Sequence, residues 1–143
     1  IFDYEKFSKL GEGYLVETSG KEVAKAQIKN SNIGQEKKFA REFIKKIDVT
    51  KGISTVNDIK KFLKQGYLII CNVNSRKLND KEGYCGHFIV VKGFDNKHLI
   101  INDPGSTNAA ENHLVDIKLF ERAWAYPNRE AKGIMAFKIR KQP

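Results

Sequence analysis

Cysteine is scarce: the 143-residue chain holds two, Cys71 and Cys85. Two cysteines do not make a disulfide framework. They do not make a zinc site either, because neither stands beside a second ligand pair. Cys85 and His87 are two apart, but two ligands are too few for zinc. Cys71 lies inside an apolar run, where a buried and unreactive thiol is expected. This usage points to a reducing compartment, so a cytoplasmic protein is the expectation. Long hydrophobic runs are also missing, and none approaches the roughly 20 residues of a membrane-crossing helix. No secretory signal is visible. Prolines number three. There is no Pro- or Ser-rich linker and no internal repeat, so residues 1–143 are expected to form a single domain. The first residue is Ile1 rather than Met, and a chain cut from something longer is expected.

Charge is unbalanced but not concentrated. The net charge is +9, and the basic excess lies mainly beyond residue 50. It is scattered, without the stripe of basic and interleaved aromatic residues that marks a nucleic-acid surface. A solvated, lysine-rich exterior is the simpler reading, and attraction to an acidic partner stays open. With 41% hydrophobic and 30% charged residues, the composition is that of a globular chain rather than a disordered one.

The pattern that is present reads as helices first. Residues 3–16 carry Phe7, Leu10, Leu15 and Val16 among charges, as a helix broken near Gly11 and Gly13. Lys21 to Lys29 follows as a helix by propensity, and Gln35 to Ile47 as an amphipathic helix. Thr55 with Asp58 three residues later predicts a capped helix start. Ile59, Phe62 and Leu63 form its stripe, and Gly66 suits its end. Tyr67 to Val73 is almost continuously apolar and predicts a central strand covered on both faces. Asn74 to Tyr84 is expected as a polar loop long enough to wall a cleft. Ser106 to Leu114 is expected as a connection. A helix from Ile117 to Trp124, closed by Pro127, and a strand over Gly133 to Arg140 complete the chain. Helices segregated from a mostly antiparallel sheet define an α+β fold.

The chemistry concentrates in Gly83 to Gly105. Phe88 to Val91 and Leu99 to Ile101 are two strands, and the turn formers between them predict a hairpin. His87 opens the first strand and Asp103 ends the second, so the hairpin brings them together. A three-residue loop, Asp95 to Lys97, would set Phe94 opposite His98 and Ile89 opposite Asp103, with His87 diagonal to it on the same face. A two-residue loop would send the pair to opposite faces unless a bulge intervenes. An aspartate bonded to one imidazole nitrogen leaves the other free to act as a base toward a nucleophile. On spacing alone the plainer reading comes first: a satisfied histidine, and an aspartate capping the Asp-Pro turn.

Gly86 to Asp95, reading Gly-His-Phe-Ile-Val-Val-Lys-Gly-Phe-Asp, and then Asn102-Asp103-Pro104-Gly105 after an apolar strand, resemble the His and Asp motifs of papain-like cysteine peptidases. The nearest group contains the bacteriocin-processing (double-glycine leader) peptidases and their stand-alone relatives. Ile59 to Val73 resembles that family's helix and strand leading to the His motif. Phe120, Ala123 and Trp124 resemble the helix after the Asp motif. The resemblance covers residues 55–140. It implies a papain-like α+β fold, with N-terminal helices packed on a mostly antiparallel sheet. It also implies hydrolysis of a peptide or amide bond in a peptide or protein substrate. His87 would be the general base and Asp103 its orienter, with no metal or organic cofactor.

One element of the family pattern is not in these residues. The family's nucleophile is a Cys opening an N-terminal helix in an Asp-Cys-Gly-Pro-like motif, with a Gln just upstream for the oxyanion hole. A helix N-terminus lowers the thiol pKa there and favours the anionic transition state. Residues 1–50 contain no cysteine. Cys71 lies within a strand, and Cys85 lies on the His strand itself. The expectation is a nucleophile outside this chain, so that the 143 residues alone do not hydrolyse peptides. Alternatives are a relative that lost catalysis and kept a peptide-binding cleft, an acyl transferase on the same fold, or, more distantly, a basic domain binding nucleic acid or an acidic protein.

Overall fold

The computed structural model describes residues 2–105, 109–126 and 128–138. They fall into two compact units, Phe2–Lys51 and the chain from Gly52 onward.

The first unit is helical. Asp3 caps α1 (Tyr4–Leu10) by accepting the Lys6 N–H at 2.9 Å. Gly11, at φ 57°, separates α1 from α2 (Glu12–Ser19). A Cβ there would also stand 2.8 Å from the Lys37 side chain, so the expected break falls at this glycine. Then come α3 (Lys21–Asn30) and α4 (Ile33–Lys46), the latter capped by Asn32. Phe7, Tyr14, Leu15, Ala24 and Ala40 form the core of this unit. Within α4 the large Phe39 stays exposed and the small Ala40 is buried.

The second unit carries the sheet. Thr55 and Asp58 close the expected capping box at the start of α5 (Val56–Lys64). Strand β1 (Tyr67–Asn74) follows, and then a short helix α6 (Ser75–Leu78) inside the stretch expected to be loop. Asn74 starts that helix by accepting the Arg76 N–H at 3.1 Å. Next are β2 (Gly86–Phe94) and β3 (His98–Asp103). The expected connection over 106–114 is corrected in its second part. Ala110–Asp116 is strand β4, while residues 106–108 lie outside the described residues. Its side chains gave no apolar alternation because it is an edge strand, joined through its backbone to β3, with only Val115 buried. Helix α7 (Ile117–Trp124) matches the expectation, and a 3₁₀ turn (Arg129–Ala131) and β5 (Met135–Lys138) end the described chain. Pro127 and residues 139–140, expected to close α7 and to continue β5, lie outside the described residues.

The sheet order is β4-β3-β2-β1-β5, and every pairing is antiparallel. Ile69, Cys71 and Val73 of β1 are buried with Ile89 and Val91 of β2 and Leu99 and Ile101 of β3. Val56 and Ile59 of α5 and Phe120, Ala123 and Trp124 of α7 join the same cluster. Each large apolar side chain so buried contributes about 1.5–3 kcal/mol. Phe120 and Trp124 together therefore outweigh the Asp116 cap of α7, worth about 1 kcal/mol. The expectation that β1 is covered on both faces is corrected. Leu68 and Ile70 are only half-buried and Asn72 is exposed, because both helices of the cluster meet the alternate set of residues.

Candidate active site

The hairpin that carries His87 and Asp103 closes through a short turn. Phe94 pairs with Leu99, and the Asp95 N–H donates to the His98 carbonyl at 3.0 Å. The turn is therefore two residues, Asn96 and Lys97, the shorter of the two loops that the sequence left open. Asp95 shapes it, accepting the N–H groups of Lys97 and His98 at 2.7 Å each. Those bonds, together with the His98 ring at 3.0 Å, hold the Asp95 carboxyl down to about 2.

A regular two-residue hairpin would place His87 and Asp103 on opposite faces. A bulge prevents this. The register runs Val91 to Ile101 and then Gly93 to Ile100, passing over Lys92. Beyond the bulge, Val90 pairs with Asn102, which sets Ile89 opposite Asp103 and His87 diagonal to it. The expected diagonal relation thus arises by the second of the two routes that parity allows.

His87 Nε2 lies 2.5 Å from Asp103 Oδ1. A carboxylate only accepts, so Nε2 is the donor in this contact, and in the neutral ring Nδ1 is then the nitrogen that carries the lone pair. Among the described residues no hydrogen bond engages Nδ1. Asp103 Oδ1 also accepts the Gly105 N–H at 2.9 Å, which ties the carboxylate to the Asp-Pro turn. The side chains are 24% and 16% exposed, open enough to meet a reactant and covered enough to be held. His87 pairs with Val73 across β1, so its backbone belongs to the sheet.

Neither cysteine joins this pair. Cys71 pairs with Ile89 and is fully buried, and burial pushes its thiol up to about 12. Such a thiol is protonated at neutral pH and does not attack. Cys85 is exposed, just ahead of β2. Among the described residues neither sulfur hydrogen-bonds His87.

The segment before His87 is organised by residues that sequence reasoning did not single out. Asn74 is fully buried and its side chain holds three backbone groups: the Gly83 carbonyl and the N–H groups of Arg76 and Cys85. The one visible signal was a polar residue at the end of an apolar strand. Tyr84 stacks on Tyr126, ring centres 5.1 Å apart and 15° from parallel.

A helix-flanked antiparallel sheet with a His–Asp pair across its hairpin is a papain-like α+β fold, and the domain is cysteine peptidase-like. The model of the Peptidase_C39 like family matches residues 8–132, and the chain belongs to that family. No curated protein matches the chain. No helix among the described residues is long and apolar enough to cross a membrane.

Proposed function

We propose that this domain serves a cysteine hydrolase that cleaves a peptide or amide bond through a Cys-His-Asp triad. His87 is the general base, Asp103 fixes its orientation, and the nucleophilic cysteine lies outside these 143 residues. The observation that carries the reading is the Nε2–Oδ1 contact of 2.5 Å, which leaves Nδ1 as the free base. A thiol brought to Nδ1 would lose its proton to the ring and attack a carbonyl carbon, and the imidazolium would then protonate the leaving amine. The family match over residues 8–132 takes in both compact units and supports one peptidase domain over residues 1–143. The stretch from Asn74 to Tyr84 is read as a wall of the substrate cleft. The partner is a peptide or protein, and the chemistry calls for no cofactor.

The test is peptide hydrolysis by the native protein isolated from its source cell, with its intact mass determined. Thiol alkylation and His87→Ala should each abolish turnover, and Asp103→Asn should lower kcat by about 10²–10⁴-fold. The 143-residue chain alone should show no turnover. Turnover that survives His87→Ala, or turnover by the 143-residue chain that Cys85→Ala removes, would overturn the reading.

A second reading is a peptide-binding relative without catalysis. It is favoured by the absence of either thiol from the His–Asp pair. A native protein with no cysteine beyond Cys71 and Cys85, which binds peptides without cleaving them, would decide for it.

A further inference from the structure

We propose that Asn74 is a positioning residue for His87, acting through the backbone of Cys85; the inference rests on the reading of His87 as the general base. Asn74 ends β1 and pairs with Gly86, next to the Val73–His87 pair. Its side chain is fully buried, yet every one of its bonds reaches a backbone group of the neighbouring segments. Nδ2 donates to the Gly83 carbonyl at 2.9 Å. Oδ1 accepts the N–H groups of Arg76 and Cys85, each at 3.1 Å.

Cys85 is held from the other side too. Its carbonyl accepts the Ser75 N–H at 2.8 Å and the Ser75 hydroxyl at 3.2 Å. Both polar groups of the Cys85 backbone are thus fixed to Asn74 and Ser75, two residues before the imidazole. Gly86 leaves room for the Tyr84 side chain, since a Cβ there would stand 2.7 Å from the Tyr84 hydroxyl oxygen.

A loop of this length and polarity, left to water, would let the end of β2 fray. His87 sits in the first pairs of that strand. A general base works only when held within about 0.5 Å of its productive place. Asp103 fixes one side of the imidazole ring. The Asn74 amide fixes the backbone from which the ring projects. The exposed Cys85 is therefore of use through its main chain rather than its sulfur.

The test is NMR of the full chain with the imidazole nitrogens labelled. In the wild type the Nε2–H of His87, donating to a carboxylate, should give a slowly exchanging downfield resonance. Asn74→Ala should broaden that resonance beyond detection. Asn74→Asp, which keeps an acceptor for the Cys85 N–H, should retain it. A folded Asn74→Ala variant with an unchanged His87 resonance would sink the proposal and leave Asn74 as a loop anchor only. Should Asn74→Ala fail to fold, the wild-type Cys85 amide decides. Exchange as slow as that of Ile89 supports the clamp, and exchange as fast as that of Asn96 in the turn overturns it. In the native protein, Asn74→Ala should lower kcat by about 10²-fold, as a base misplaced by about 1 Å does, with Asn74→Asp recovering part of it. If His87→Ala proves harmless to turnover while the resonance still follows Asn74, the general-base reading has failed and the coupling stands.

Discussion

His87 and Asp103 share a face of the sheet because one residue between them, Lys92, is skipped in the register. The two-residue turn alone would have separated them. The bulge absorbs this exposed lysine, so the residues on either side of it keep the register that sets His87 and Asp103 on one face.

That relationship predicts opposite outcomes for two deletions. Removing Lys92 leaves every pair from Val91–Ile101 to Phe94–Leu99 in place and should keep the His87 Nε2–H resonance. Removing Val90 instead turns His87 away from Asp103, or drives Lys92 to the core position of Val91. The first outcome should lose the resonance and the second keep it, and either should lower stability by more than about 1.5 kcal/mol, the least that one buried aliphatic side chain contributes. Imidazole NMR and urea unfolding of the two variants check this.

The thiols should behave unequally. Cys85 is exposed and Cys71 is buried with its thiol raised to about 12. A chromogenic disulfide reagent should therefore titrate one thiol in the folded chain and two in denaturant. Because the folded value lies above the thiol's usual 9.0, the stabilisation from a neutral Cys71 is full below about pH 9. It is lost as pH rises toward 12, and Cys71→Ala should flatten that alkaline decline.

Acid should weaken the hairpin turn through Asp95. Its folded value of about 2 lies below the usual aspartate value of 3.8. The stabilisation is therefore present above about pH 4 and is lost as pH falls through 2. Asp95→Asn should lower the melting temperature at pH 7, and the gap to wild type should narrow by pH 2. A gap that stayed constant with pH would show that the carboxylate charge is irrelevant.

Helix α5 should depend on its cap. Thr55 Oγ1 accepts the Asp58 N–H at 3.2 Å, and Asp58 returns a bond from the Thr55 N–H at 2.8 Å. Thr55→Ala should cost about 1 kcal/mol, read as a lower urea midpoint with an unchanged slope.

Local chemistry made much of this protein legible in the sequence. Thr55 and Asp58 announce a helix start because a hydroxyl and a carboxylate three residues apart satisfy two orphan N–H groups. Gly11 announces a break. The Phe88–Val91 and Leu99–Ile101 runs announce paired strands, and a hairpin must bring His87 and Asp103 near one another. What stayed hidden depended on partners distant in the chain. Strand β4 has polar side chains and exists because β3 offers it a backbone edge. The bulge at Lys92 is a matter of parity, settled only when the turn at Asp95 and the buried faces of β1 and α7 are satisfied together. Asn74 looks like any polar residue at a strand end until the fold buries it and returns Gly83 and Cys85 to its amide. Side-chain type determined which elements form, while register and burial, which are properties of the assembled sheet, decided which residues face one another.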